Sequence, residues 1–232
     1  MRYLAVAADY DGTLASEGIV DGDTIAALSR LRHSGRRLIL ITGRQLEDLL
    51  QVFPHVELAD RIVAENGAVV FRTSDGHLEI RGDTPPERFI TALRARGVAP
   101  LSIGRVIAAT QERYEGLVRD AIRDLALDLR VILNKGAMMI LPRDVNKATG
   151  LEMALAELHL SPYNTVGVGD AENDEAFLEM CGYSVAVANA LPALKQRADW
   201  VTSAPRGHGV IELIDRLIES DLKDVPPKPA RH

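Results

Sequence analysis

Three apolar runs in this chain each break off into residues that could do chemistry. Tyr3–Ala8 ends in Asp9 and Asp11, Leu38–Ile41 ends in Thr42 and Gly43, and Thr165–Gly169 ends in Asp170, Asn173 and Asp174. Lys147 opens a helical segment between the second and third of them. A short unbroken apolar run suits a strand buried on both faces of a parallel sheet. In open sheets of that kind, ligands bind beyond the carboxyl ends of the strands. Separate segments therefore deliver acids, a hydroxyl and a cation to one rim. Carboxylates gathered there repel one another unless a cation joins them, and hard oxygen donors suit Mg²⁺. With a lysine, a threonine and the free N–H groups of helix starts beside it, such a rim suits a phosphate.

The elements that must position these residues follow from periodicity. Before residue 68 the order is strand, helix (Asp23–Ser34), strand, helix (Gln45–Phe53) and strand (Ile62–Ala64), which predicts a doubly wound α/β arrangement. Ala68–Phe71 and Leu78–Arg81 read as a hairpin around Asp75-Gly76. The pattern then changes to helix (Pro86–Arg96), one long strand (Leu101–Thr110), helix (Glu112–Leu125) and two strands (Leu129–Leu133, Met138–Leu141) joined at Asn134-Lys135-Gly136. From Lys147 the first pattern resumes: helix to Leu158, the Gly-rich strand Thr165–Gly169, helix Asn173–Cys181, strand Ser184–Val187, helix Ala190–Arg197, strand Trp200–Val201 and helix Val210–Ser220. The expected fold is a doubly wound, Rossmann-like parallel-sheet core (1–82 and 147–224) with a small inserted α+β cap (83–146) and a flexible tail (225–232).

Composition narrows the function. The 232 residues carry a net charge of −6, with 4 Phe, 1 Trp and 5 Tyr. A mildly acidic, aromatic-poor chain has neither the charge nor the stacking surfaces that nucleic acid or an anionic membrane demands. Cys181, the single cysteine, excludes an internal disulfide framework. No apolar run approaches the ~18–20 residues of a membrane span, and the start lacks a signal-peptide pattern. A cytoplasmic location is expected.

The four ordered motifs Asp9-Tyr10-Asp11-Gly12-Thr13-Leu14, Leu40-Ile41-Thr42-Gly43-Arg44, Lys147, and Gly169-Asp170-Ala171-Glu172-Asn173-Asp174 resemble those of the haloacid dehalogenase superfamily. The resemblance runs from about Tyr3 to Leu217. The insert after the third core strand, and the turn Glu65-Asn66-Gly67, resemble the type IIB cap group of Cof-like sugar phosphatases. The short insert is similar to archaeal-type phosphoglycolate phosphatases and to sucrose- or trehalose-phosphate phosphatases.

This resemblance implies a Mg²⁺-dependent phosphatase acting on a small organic phosphate. Asp9 would be the nucleophile that forms an aspartyl-phosphate, and also a metal ligand. Asp11 would be the acid and then the base, its main-chain carbonyl on the metal. Asp170 would complete the metal site, with Asp174 in support. Thr42, Gly43, Lys147 and Asn173 would hold phosphate oxygens, and Lys147 would also neutralise charge during transfer.

Singly, each motif has a plainer reading. Asp-Gly is turn chemistry, Thr42 could cap the next helix, and Lys147 could be a solvated surface residue. Gly167-x-Gly169 lacks the third glycine of a dinucleotide fingerprint. A phosphotransferase or mutase on the same core is the nearest alternative. A signalling receiver places its phosphorylated Asp after the third strand, not the first, and a non-catalytic phosphate-binding relative has no need of Asp9, Asp11, Lys147 and Asp170 together. Cys181 reads as core, His208 as a loop residue, and Arg105 and Lys135 as candidate cap cations. The oligomeric state is left open.

Overall fold

The computed structural model of the chain describes residues 1–134 and 136–225. Lys135 and all but the first residue of the expected tail lie outside the described residues. At the centre is β1 (Ala5–Asp9), buried at every position. It pairs in parallel with β2 (Arg37–Ile41) on one side and β10 (Thr165–Gly169) on the other. The parallel order continues outward through β3 (Arg61–Ala64) on one flank, and through β11 (Tyr183–Ala186) and β12 (Trp200–Val201) on the other. The hairpin β4 (Val69–Arg72) and β5 (Leu78–Ile80) adds two antiparallel strands at the β3 edge, completing a sheet of eight.

Helices cover this sheet. α1 (Gly22–His33) starts where the Asp21 side chain accepts the Thr24 N–H at 2.7 Å, and it packs against α8 (Arg206–Ser220). α5 (Lys147–Leu158) lies over β2, β3 and β4 and packs against α6 (Glu175–Met180), while α2 (Leu46–Val52) and α7 (Pro192–Arg197) complete the connections. Among the described residues no helix is long and apolar enough to cross a membrane.

Between β5 and α5 the chain builds a second, antiparallel sheet in the order β6 (Ser102–Ile103), β7 (Ala108–Gln111), β9 (Ala137–Pro142), β8 (Leu129–Asn134). One face carries α3 (Glu87–Ala95) and α4 (Glu115–Asp124), where Phe89, Leu93 and Val118 enclose Met138 and Ile140. Alternation along β9 sends Met139 and Leu141 the other way, into the apolar cluster of the large sheet. The second sheet thus has its own core on one side and lies against the first on the other.

Two expectations are corrected. The single strand Leu101–Thr110 is two short strands, β6 and β7, separated by a turn at residues 104–107. His208 lies on α8, not in a loop. Gly207 and Gly209 do not break that helix; its first turn approaches Thr24 and Thr202 too closely to admit a Cβ.

Candidate active site

Because β1 and β10 are adjacent and parallel, with Ala8 level with Val168, their ends bring Asp9 and Asp170 out side by side. A single 3-10 turn follows at Glu172–Asp174. It folds Asp174 back so that its Oδ2 accepts the N–H groups of Asp170 (2.8 Å) and Ala171 (2.9 Å). Lys147 arrives from α5. There the Asn146 side chain accepts the Thr149 N–H and the Thr149 hydroxyl accepts the Asn146 N–H, both at 3.0 Å, a reciprocal cap that fixes the first residue of the helix. From that position Lys147 Nζ donates to Asp9 Oδ1 and to Asp174 Oδ1, each at 2.6 Å.

All four side chains are at most 4 % exposed. Burial, then the charge of Asp174, push the Asp9 carboxyl up to about 8 against the opposing pull of Lys147. Burial alone would lower Lys147, but Asp174 and Asp9 outweigh it and hold the ammonium above the ordinary lysine range. Ligand oxygens of Asp9, Asp170 and Asp174 lie within 4.8 Å of one another. One ammonium faces three carboxylates there, and hard oxygen donors this close together suit a divalent cation.

Asp11, two residues along from Asp9, is placed differently. Its side chain is 39 % exposed and sits in the fork of Arg44, with Nε to Oδ2 and Nη2 to Oδ1 both at 2.7 Å. The guanidinium also lies over the Tyr10 ring at 5.8 Å. Thr42 follows β2, buried, with its hydroxyl accepting the Arg44 N–H at 3.0 Å. Gly43 and Arg44, rather than Thr42, line the cavity in front of the acids.

That cavity is about 250 Å³ and lies between the two sheets. Asp9, Asp11, Lys147, Asp170 and Asn173 line it from the large sheet; Ala109, Asn134, Ala137 and Met139 line it from the small one. Two buried amide oxygens, Oδ1 of Asn173 and Oδ1 of Asn134, have no hydrogen-bond partner among the described residues. Buried polar atoms are almost always satisfied, so these two acceptors call for a donor, water or a bound molecule, within the cavity. A larger cleft, about 450 Å³ between α4 and β8, contains none of these groups.

The structure brings Asp9, Asp170, Lys147, Asn173, Gly43 and Asp11 to one cavity, with Asp174 bonded to Lys147 but outside the lining, and leaves other candidates outside it. Arg105 points to Glu47 at 2.6 Å on an exposed surface. His208 lies 4.0 Å from Asp21, also exposed. Burial pushes the Cys181 thiol up, which suits an inert packing residue. Two contributors carry roles the sequence alone did not assign. Arg44, inside the second motif, grips Asp11. Asn66, in the Glu65-Asn66-Gly67 turn, accepts the Asn173 amide at 3.3 Å and reaches Met139 Sδ with its own.

The chain is similar to several known proteins. The sequence profile of the haloacid dehalogenase-like hydrolases matches residues 6–90 and 101–214. Phosphoglycolate phosphatase of Methanothermobacter thermautotrophicus is 32 % identical over 222 residues, covering 92 % of this chain and 98 % of that protein. A haloacid dehalogenase-like hydrolase from Bacteroides thetaiotaomicron superposes with a TM-score of 0.78 at 19 % identity, covering 93 % of this chain and 99 % of that one. A sugar phosphatase of subclass IIB superposes with a TM-score of 0.74, also at 19 % identity, covering 92 % and 98 %.

Proposed function

Since this chain belongs to the haloacid dehalogenase-like hydrolase family and is a phosphatase, we propose that it hydrolyses a small phosphate monoester through an aspartyl-phosphate on Asp9. The observation that carries the reading is the Lys147 ammonium held 2.6 Å from both Asp9 and Asp174 at the wall of a small cavity between the two sheets.

In the first step an Asp9 oxygen attacks phosphorus and the bond to the leaving oxygen breaks, the departing alkoxide taking a proton from Asp11. In the second, Asp11 takes a proton from water, whose oxygen attacks the phosphorus and releases Asp9 and inorganic phosphate. A carboxylate in a guanidinium fork only accepts hydrogen bonds. Asp11 must therefore leave Arg44 to deliver a proton. Gly43 N–H, the Asn173 amide N–H₂ and Lys147 would hold phosphoryl oxygens, a role supported by their place in the cavity lining. Asp9 and Asp170, supported by Asp174 and by the Asp11 carbonyl, would hold Mg²⁺. The ion would neutralise charge on the transferring group. With Ala109, Asn134, Ala137 and Met139 as the opposite wall, phosphoglycolate and small sugar phosphates are the substrate classes that fit.

A panel of phosphate esters, assayed with Mg²⁺ and with chelator, tests the activity. Asp9→Asn should abolish turnover of every ester. Asp11→Asn should slow sugar phosphates more than nitrophenyl phosphate in the first step, by up to about 10²–10⁴-fold, because nitrophenolate leaves without a proton. In that variant nitrophenolate should appear as a burst near one equivalent, with the phosphate on Asp9 by mass spectrometry. Turnover by Asp9→Asn, or full activity in chelator, would overturn the mechanism.

A further inference from the structure

Glu65 is fully buried, and no cation pairs with it among the described residues. Its carboxylate is satisfied by backbone alone. Oε1 accepts the N–H of Arg105 at 2.9 Å, and Oε2 accepts those of Val106 (2.8 Å) and Ile107 (2.9 Å). These three donors form the turn that separates β6 from β7, so one side chain of the large sheet's loop holds the small sheet by its backbone. Gly104 opens the turn, and a Cβ there would meet the Glu65 carboxylate at 2.6 Å. Burying a carboxylate is costly unless it is fully hydrogen-bonded, and bonds to an ionised acceptor are stronger than neutral ones.

The other side of the same turn is locked into the site. Glu65 N–H donates to the Arg44 carbonyl (2.9 Å) and Asn66 N–H to the Thr42 carbonyl (3.0 Å). Both residues hold left-handed backbones, with φ of 50° and 58°, a conformation that persists in non-glycine residues only where surrounding bonds enforce it. Asn66 then ties Asn173 to Met139, and the turn packs against the start of α5, which carries Lys147.

We propose that Glu65 is a positioning residue that seats the small sheet over the cavity and ties that seating to the Thr42–Arg44 segment. It touches no reacting atom. Its effect is to fix where Ala109, Asn134 and Met139 stand, and so how tightly the part of the substrate beyond the phosphate is held. The kinetic consequence rests on the phosphatase reading; the structural one does not.

Glu65→Gln tests it from the large sheet and Gly104→Ala from the small one. Glutamine keeps one acceptor oxygen but turns an N–H₂ group toward at least one of the three donors. Hydrogen exchange at the amides of residues 105–107 should rise by roughly tenfold or more in both variants, the size of one lost charge-assisted hydrogen bond. KM for small polar esters should rise by a similar factor, about tenfold, with kcat held. Wild-type exchange at 105–107 in either folded variant overturns the proposal, as does a fall in kcat with KM unchanged. Should Glu65→Gln fail to fold, Gly104→Ala decides alone. If the wild-type protein cleaves no ester, the phosphatase reading falls while the exchange measurement still decides the seating.

Discussion

Replacing Lys147 with methionine removes the ammonium and keeps most of the buried stem. Nζ stands 2.6 Å from an oxygen of Asp9 and an oxygen of Asp174. At an effective dielectric of about 20, each contact has a gross attraction of roughly 6 kcal/mol when both its groups are charged, which for Asp9 in the metal-free protein holds above about pH 8. Desolvation of the three groups offsets much of that, and taking one partner from a buried pair costs about 3–5 kcal/mol net. For a chain of this size about 1 kcal/mol shifts Tm by roughly 2–4 °C, so Tm should fall by roughly 6–20 °C. Turnover should fall by about 10²–10³, the usual loss for one charge-stabilising donor. Arginine should not rescue it, because a planar fork cannot occupy the site of a compact ammonium. Mg²⁺ should raise the Tm of the variant more than that of the wild type, since Asp9 and Asp174 then face each other with no ammonium between them. Thermal unfolding with and without Mg²⁺, beside steady-state assays, reads all of this. A Lys147→Met protein with wild-type Tm and turnover would refute the reasoning, and so would one that gains no more from Mg²⁺ than the wild type. A solvated surface lysine would have little bearing on the fold; at 2 % exposure Lys147 is not one.

In the metal-free protein Asp9, raised to about 8 by burial and Asp174, keeps a proton that the unfolded chain loses near its ordinary carboxylate pKa. The folded state therefore binds more protons between those values, and stability should fall as pH rises from about 4 to 8; urea unfolding in chelator should show a slope from pH 5 to 8 that Asp9→Asn lacks, and equal slopes would refute the assignment. Met139→Ala should lower stability by about 2–5 kcal/mol, since Met139 is buried in the apolar cluster, and should widen the cavity so that larger esters rise in the substrate ranking; a ranking unchanged from wild type would count against Met139 as a wall of the substrate site.

What could be read from the sequence follows the range of the forces involved. β10, α5 and β12 fall where their residues predict, because unbroken apolar runs and a local Asn-x-x-Thr cap define them within a few positions. The acids at the ends of β1 and β10 were legible for the same reason: a buried run that stops at Asp is a local signal. The break in Leu101–Thr110 was not, because the group that makes it, Glu65, is some 40 positions away in sequence. Arg44 was visible as part of a motif, but its grip on Asp11 spans 33 positions. His208 was misplaced because glycine in a helix start reads as a breaker unless the close approach of Thr24 and Thr202 is known.

The two acids at the end of β1 show how one strand end can supply both halves of the proposed chemistry. Asp9, the last residue of the strand, is buried and shares the Lys147 ammonium, so under the proposed mechanism its oxygen would meet phosphorus at a wall with little solvent exposure. Asp11 lies past the strand, more than a third exposed, with a guanidinium in place of the ammonium. A nucleophile gains from exclusion of water, whereas a group that must give and then take a proton within one turnover gains from contact with the solvent side. Exchanging the two environments would work against the nucleophile. An exposed Asp9 would compete with water for the phosphoryl group. Arg44, not Lys147, is the cation paired with Asp11. Arg44 in turn is placed by the hydrogen bonds of its backbone to Thr42 and Glu65. The segment that carries Arg44 is therefore also bonded to the backbone of the Glu65 turn, whose side chain accepts from the small sheet.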